Sequence, residues 1–150
     1  MTTFKRCDSG NPDFQTLVAL LDADLSVRDG EDHTFYAQFN KIQNIRHAIV
    51  CYLDDRPIGC GAFKEFERDK VEIKRMFVKP EYRGKGIGIK ILRELELWAW
   101  ELGYSACVLE TGKKQPEAIR LYEKAGYIRI KNYGQYENVA NSVCMMRPLA

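Results

Sequence analysis

Hydrophobic and polar positions along this chain fall into a run of short periodic segments. "TTFKRCD" at the start reads as a weak strand. In "GNPDFQTLVALLDAD", Phe14, Leu17, Val18 and Leu21 fall on one helical face, with Asn11 as N-cap and Pro12 at the first helical position. "DGEDHTFYAQFNKIQNI" predicts a second, more polar helix carrying Phe35, Phe39 and Ile42. "HAIVCYLDDRPIGCGAFKEF" predicts a strand–turn–strand hairpin around "DDRP". "DKVEIKRMFV" follows as a third strand, and simple alternation puts Glu72, Lys74, Met76 and Val78 on one of its faces.

The second half is more regular. "GIGIKILRELELWAWELG" predicts a helix whose buried stripe is Gly88, Leu92, Leu95, Ala99 and Leu102, widened by Ile91 and Trp98 and closed by Gly103. "SACVLET" is a continuous apolar run, the pattern of a strand buried on both faces. "QPEAIRLYEKAG" predicts a short helix between Pro116 and Gly126, and "YIRIKNY" and "SVCMMRPL" two closing strands joined by the polar "GQYENVAN". The order β-α-α-β-β-β-α-β-α-β-β predicts one α/β domain over residues 1–150. Its hairpin strands feed a strand–helix–strand unit.

Composition narrows the partners. With 45% hydrophobic and 29% charged residues the chain can bury a core. Its formal charge is only +2, and acids interleave the bases in "RDGEDH" and "FERDKVEIKR", so a solvated surface is expected rather than a nucleic-acid face. No apolar run approaches the ~20 residues of a membrane span, and "MTTFKRCDSG" lacks the apolar core of a signal peptide. A cytoplasmic setting without nucleic-acid or membrane partners is the expectation. The five cysteines form no CxxC pair, so neither a metal site nor a disulfide framework is expected, and most should be small buried hydrophobes.

The chemistry concentrates in "VKPEYRGKGIGIKIL". Gly84, Gly86 and Gly88 at alternate positions, with Arg83 and Lys85, open a helix straight after a strand. A helix start offers unpaired N–H groups and the positive end of the dipole, which suits a phosphate. A dinucleotide fingerprint would need glycine where Ile89 stands, and a Walker loop needs Gly-Lys-Ser/Thr, which is missing.

"RGKGIG" resembles the Arg/Gln-x-x-Gly-x-Gly/Ala loop of the GNAT superfamily of N-acetyltransferases. "EIKRMFV", the following helix, "CVLET" and "EAIRLYEKAGY" come in that family's order, so the resemblance is dense over Val71–Tyr127 and architectural before it. It implies a mixed, mostly antiparallel sheet with helices on both faces. It implies acetyl-CoA as cosubstrate, the pyrophosphate on the backbone of Arg83, Gly84, Lys85, Gly86, Ile87 and Gly88, and the pantetheine arm along Phe77 and Val78. Phe77 N–H, or that of a neighbour, would polarise the thioester oxygen. Tyr122 would protonate the departing thiolate, with Glu72 or Glu110 taking the amine proton. Where many members carry Asn, this chain has Gln115, with the same polar groups on a longer arm. Asp32, His33, Tyr36, Tyr133 and Tyr136 are acceptor-site candidates. The implied activity is acetyl transfer to a primary amine of a small molecule or peptide. Protein lysine or N-terminal acetylation, and a silent acetyl-CoA-binding module, are the alternatives. A homodimer would suit the closing strands.

Overall fold

The computed structural model describes residues 1–29 and 44–149. The predicted second helix, with Phe35, Phe39, Ile42 and the candidates Asp32, His33 and Tyr36, lies outside the described residues. Strand β1 (Thr2–Cys7) is followed by helix α1 (Pro12–Asp29). Asn11 caps α1, its Oδ1 accepting the Phe14 N–H at 3.0 Å. Strands β2 (His47–Leu53), β3 (Arg56–Glu67) and β4 (Lys70–Val78) then run antiparallel in succession. The turn between β2 and β3 holds Asp54 and Asp55 at φ 48 and 70, the left-handed pair of a two-residue hairpin turn.

A 3₁₀ turn (Pro80–Tyr82) leads into helix α2 (Ile87–Glu101), and β5 (Ala106–Gly112), helix α3 (Pro116–Lys124), β6 (Ile128–Ile130) and β7 (Ser142–Pro148) complete the chain. Among the described residues, seven strands form one sheet in the order β1-β2-β3-β4-β5-β7-β6, with β4–β5 as its one parallel pair. The α1 face buries Phe14, Leu17, Val18 and Leu21 against Ala48, Val50, Cys60, Ala62 and Phe77. The other face buries Ile91, Leu92, Leu95 and Ala99 of α2, with Tyr122 and Ala125, against Val71, Ile73, Cys107 and Leu109. Leu102, predicted inside the α2 stripe, is 50% exposed, because the helix ends at Glu101 and the chain turns away through Gly103 at φ 94.

The expected single face of β4 is also interrupted. Phe77 stands opposite Cys60 and Lys74 opposite Ala62, so β4 carries one more residue than β3 between these pairs. This bulge centres on Arg75, at φ 60. Val71 and Ile73 before it, and Met76 and Val78 after it, all join the α2 side, while Phe77 joins the α1 side. Glu72 and Lys74 therefore share no face with Met76 and Val78: the extra residue inverts the alternation. Cys51, Cys60, Cys107 and Cys144 are buried free thiols. No described helix is long and apolar enough to cross a membrane, and among the described residues no His/Cys/Asp/Glu group could hold a metal ion.

Candidate functional site

The site begins where the central parallel pair comes apart. The β4–β5 ladder ends at Ile73–Leu109. Past that point β4 keeps its pairing to β3 as far as Val78, and β5 keeps its pairing to β7 as far as Gly112. Each strand is held by its outer neighbour, so their inner edges diverge. Lys79 N–H donates to Ile58 O at 2.9 Å on the β3 side. Alternate residues of a strand point their N–H and C=O groups to the same side. Phe77 therefore faces β3 with its backbone, and Val78 faces the opening. The Val78 carbonyl accepts a 2.7 Å hydrogen bond from Arg83 Nε. Of the two residues expected along the pantetheine arm, alternation turns the backbone of Val78 to the open edge, while Phe77 lines the cleft with its backbone turned to β3. Its ring lies under the Arg83 guanidinium, 5.4 Å from ring centre to Cζ.

Below the opening sits the glycine loop. Gly86 is the N-cap of α2 at φ 79, with no capping side chain, and Gly84 is also at φ 79. A Cβ on Gly86 would meet nothing within 4 Å. Its role is the left-handed turn that aims the first α2 N–H groups outward, toward whatever lies beside the loop. Gly88 differs. A Cβ there would fall 2.8 Å from Leu121 Cδ1, so this glycine permits close packing of α2 on α3. The Arg83 N–H is taken by Pro80 O at 3.2 Å, which removes that one group from the expected cradle. The cleft here, about 530 Å³, is lined by Met76, Val78, Arg83, Gly84, Gly86, Gly88, Gln115 and Tyr122 among others.

A smaller cavity of about 110 Å³ adjoins it and shares Met76, Gln115, Ala118 and Tyr122. Its wall holds Glu72, Lys74, Arg75, Glu110, Thr111 and Tyr136. Tyr122 is buried, with its ring edge-on to Tyr127 at 5.9 Å. Burial, reinforced by the Glu110 charge, pushes its hydroxyl far above the ordinary tyrosine pKa, so it keeps its proton. Glu72, 3% exposed, accepts the Tyr133 hydroxyl at 2.7 Å on Oε2 and pairs with Lys74 Nζ at 3.7 Å on Oε1. Burial pushes the Lys74 ammonium below its ordinary pKa. Gln115 is the N-cap residue of α3 without a capping bond from its side chain.

Tyr122, Glu72, Glu110 and Gln115 therefore line one cavity, and Phe77, Val78, Arg83, Gly84, Gly86, Ile87 and Gly88 line the adjoining cleft with Gln115 and Tyr122. Lys85 turns its Nζ toward the Tyr82 ring, 5.8 Å from its centre. Tyr136 lines the smaller cavity, and Tyr133 hydrogen-bonds Glu72 of its wall. Sequence reasoning missed Arg75 and Thr111. Nothing in "EIKRMFV" marks a bulge, since it contains neither glycine nor proline.

Residues 14–127 match the acetyltransferase (GNAT) family. An IAA acetyltransferase of Azospirillum brasilense is 41% identical over 93 residues, which is 61% of this chain and 61% of that protein. The chain spans less than two thirds of the length of that relative, and the same holds for N-acetyltransferases of unassigned role from Schizosaccharomyces pombe (63%) and Bacillus subtilis (64%). Among solved structures, one from Klebsiella pneumoniae assigned as an acyl-CoA N-acyltransferase superposes with TM-score 0.84 at 28% identity, covering 100% of this chain and 99% of that one. The PaiA N-acetyltransferase of Thermoplasma acidophilum, solved with coenzyme A, superposes at TM-score 0.74 and 19% identity, with 99% of each chain covered, which shows a shared fold.

Proposed function

This chain belongs to the acetyltransferase (GNAT) family, and on that premise we propose that it transfers an acetyl group from acetyl-CoA to the primary amine of a small molecule or peptide by direct attack. The observation that carries this reading is the early end of the β4–β5 ladder at Ile73–Leu109, opening onto a helix terminus that no side chain caps. An extended amide-bearing arm adds to the open edge of β4 at Val78, as a strand would. To do so it displaces or shares the Arg83 bond to the Val78 carbonyl. The N–H groups from Gly84 to Gly88, with the α2 dipole, take the pyrophosphate, and Arg83 and Lys85 supply positive charge nearby. The PaiA structure with coenzyme A supports this placement by its shared fold.

Acyl transfer needs a neutral amine, a polarised carbonyl and a stabilised leaving sulfur. The amine nitrogen forms the new C–N bond, the C–S bond breaks, and the thiolate receives a proton. Tyr122, buried at the junction of the two cavities and holding its proton, is the donor to that sulfur. A carboxylate of the smaller cavity, Glu110 or Glu72, takes the proton released by the amine, directly or through one water. The small size of that cavity supports a compact acceptor group.

An amine-panel screen with acetyl-CoA, read by free thiol release, tests the activity. Tyr122→Phe is expected to lower kcat by about 10²–10⁴ while acetyl-CoA affinity stays near wild type. Unchanged turnover in that variant across the pH range would remove Tyr122 from the chemistry.

A further inference from the structure

One cation in the smaller cavity has unused hydrogen-bonding capacity. Arg75 has a side chain only 3% exposed, and its Nη1 donates to Asp22 Oδ1 on α1 at 3.0 Å. Its Nε is buried and has no hydrogen-bond partner among the described residues. A guanidinium carries five N–H donors, and its Nε edge is one of the two that grip a carboxylate bidentately. An unmet donor on a buried charge is costly, so such a group calls for an explanation.

The backbone at Arg75 adds a second observation. The residue sits at φ 60, a left-handed conformation that long side chains seldom adopt. The bulge inverts the strand's alternation and lets an arginine beside Lys74 line the cavity at the splay. Strained backbone of this kind gathers at functional sites. Lys74 is the second cation of the wall, its ammonium 3.7 Å from Glu72 Oε1. The same wall carries Glu72, Glu110 and the Thr111 hydroxyl. Cations and carboxylates thus share one small chamber where a substrate amine would meet the acetyl donor.

We infer that the acceptor is an α-amino acid, its carboxylate seated on the free Nε edge of Arg75 beside Lys74, its amine turned toward Glu110 and Tyr122. This rests on the acetyl-transfer reading and deepens it. A carboxylate satisfies the orphaned donor, and the two carboxylates of the wall suit the ammonium group. A simple amine would satisfy the second condition and leave the first unmet.

The test uses matched acceptors: an α-amino acid, the amine left by removing its carboxyl group, and its methyl ester. Acetyl-CoA binding is followed by calorimetry, and turnover by thiol release. Wild-type protein is expected to favour the amino acid over both counterparts by at least about tenfold in kcat/KM, mostly through KM. Arg75→Lys, which keeps the charge but loses the planar fork, should bring that ratio close to one. Asp22→Ala removes the outer partner of Nη1 and leaves Arg75 in place, so it should keep the ratio. Equal use of the three acceptors by wild-type protein overturns the inference whatever the variants do. So does an equal loss of the ratio in Arg75→Lys and Asp22→Ala, which would make Arg75 a strap between β4 and α1. If acetyl-CoA fails to bind, or no amine releases thiol, the acetyl-transfer reading falls, and this inference falls with it.

Discussion

The Tyr133 hydroxyl donates a 2.7 Å hydrogen bond to Glu72 Oε2, joining the loop after β6 to the strand position where β4 and β5 are about to part. The two residues are 61 positions apart in the chain. Glu72 is nearly sealed from water, and besides this donor its carboxylate meets Lys74 Nζ at 3.7 Å and Lys64 Nζ at 4.0 Å on Oε1. Burial and the neighbouring carboxylate push the tyrosine hydroxyl far above its ordinary pKa, so it remains a donor throughout.

Removing that donor should be felt in stability first. Tyr133→Phe keeps the ring against Phe66, whose centre lies 4.5 Å away, and deletes only the hydroxyl. The variant is expected to lose about 1.5–3 kcal/mol, the range for a hydrogen bond to a charged group. Urea unfolding of Tyr133→Phe, Glu72→Gln and the double variant forms a cycle, and the interaction should appear as non-additivity. Strict additivity would show that the contact contributes nothing net.

Gly86 and Gly88 are two residues apart and should respond differently. At Gly86 the φ of 79 and the open space around a Cβ mean that a side chain is strained but not blocked. Gly86→Asp also puts a negative charge where a pyrophosphate is expected. Acetyl-CoA affinity should fall about tenfold or more, roughly 1.4 kcal/mol, and calorimetry reads it directly. In Gly88→Ala the new methyl presses on Leu121, so the loss should be in stability, about 1–3 kcal/mol, with a smaller effect on affinity. Equal affinity of Gly86→Asp and wild type would remove the loop from coenzyme binding.

What the sequence disclosed follows the range of the interactions involved. The α1 stripe, its Asn11 cap, the Asp54–Asp55 turn and the apolar run that opens β5 are local patterns of spacing and turn chemistry, and each stands where it was expected. The glycine loop was legible for the same reason, since a helix start and its N–H groups are built from adjacent residues. The bulge at Arg75 was not. Its cause is the non-local fit of β4 against β3, and no residue of "EIKRMFV" announces it. From that one shift came the misplaced face for Met76 and Val78, and the omission of Arg75 from the candidate site. Tyr133 was named as a candidate, but its bond to Glu72 depends on tertiary contact.

His47 gives a pH prediction away from the site. Its ring stacks on Phe63 at 4.7 Å and meets the edge of Trp98 at 4.8 Å. Burial, helped by the charge of Arg46, lowers its pKa below the ordinary value. The unfolded chain therefore binds this proton more readily than the folded one. Stability tied to His47 is present above the unfolded value of about 6.5 and is lost as pH falls below it, until the folded group also protonates. Melting temperature should drop from pH 7 to pH 5.5, and His47→Phe should flatten that part of the profile. A profile that is the same in both proteins would show that His47 titrates alike in the two states.

The two carboxylates of the small cavity can be told apart by kinetics. Glu72 is committed at both oxygens, to Tyr133 on Oε2 and to Lys74 on Oε1. A base must exchange a proton with the amine, and each fixed partner of Glu72 must be given up before it can. Glu110 stands on β5 close enough to Tyr122 for its charge to raise that hydroxyl's pKa, so it lies beside the group proposed to meet the sulfur. Glu110→Gln, which is nearly isosteric, is therefore expected to lower kcat by about 10²-fold or more. The loss should shrink at alkaline pH, where the free amine needs no base. Glu72→Gln should cost less in kcat and more in melting temperature, because it mainly removes the counter-charge of a buried lysine. Steady-state rates from pH 6 to 10 on both variants decide between them, and a larger, pH-dependent loss in Glu72→Gln would transfer the role of base to Glu72.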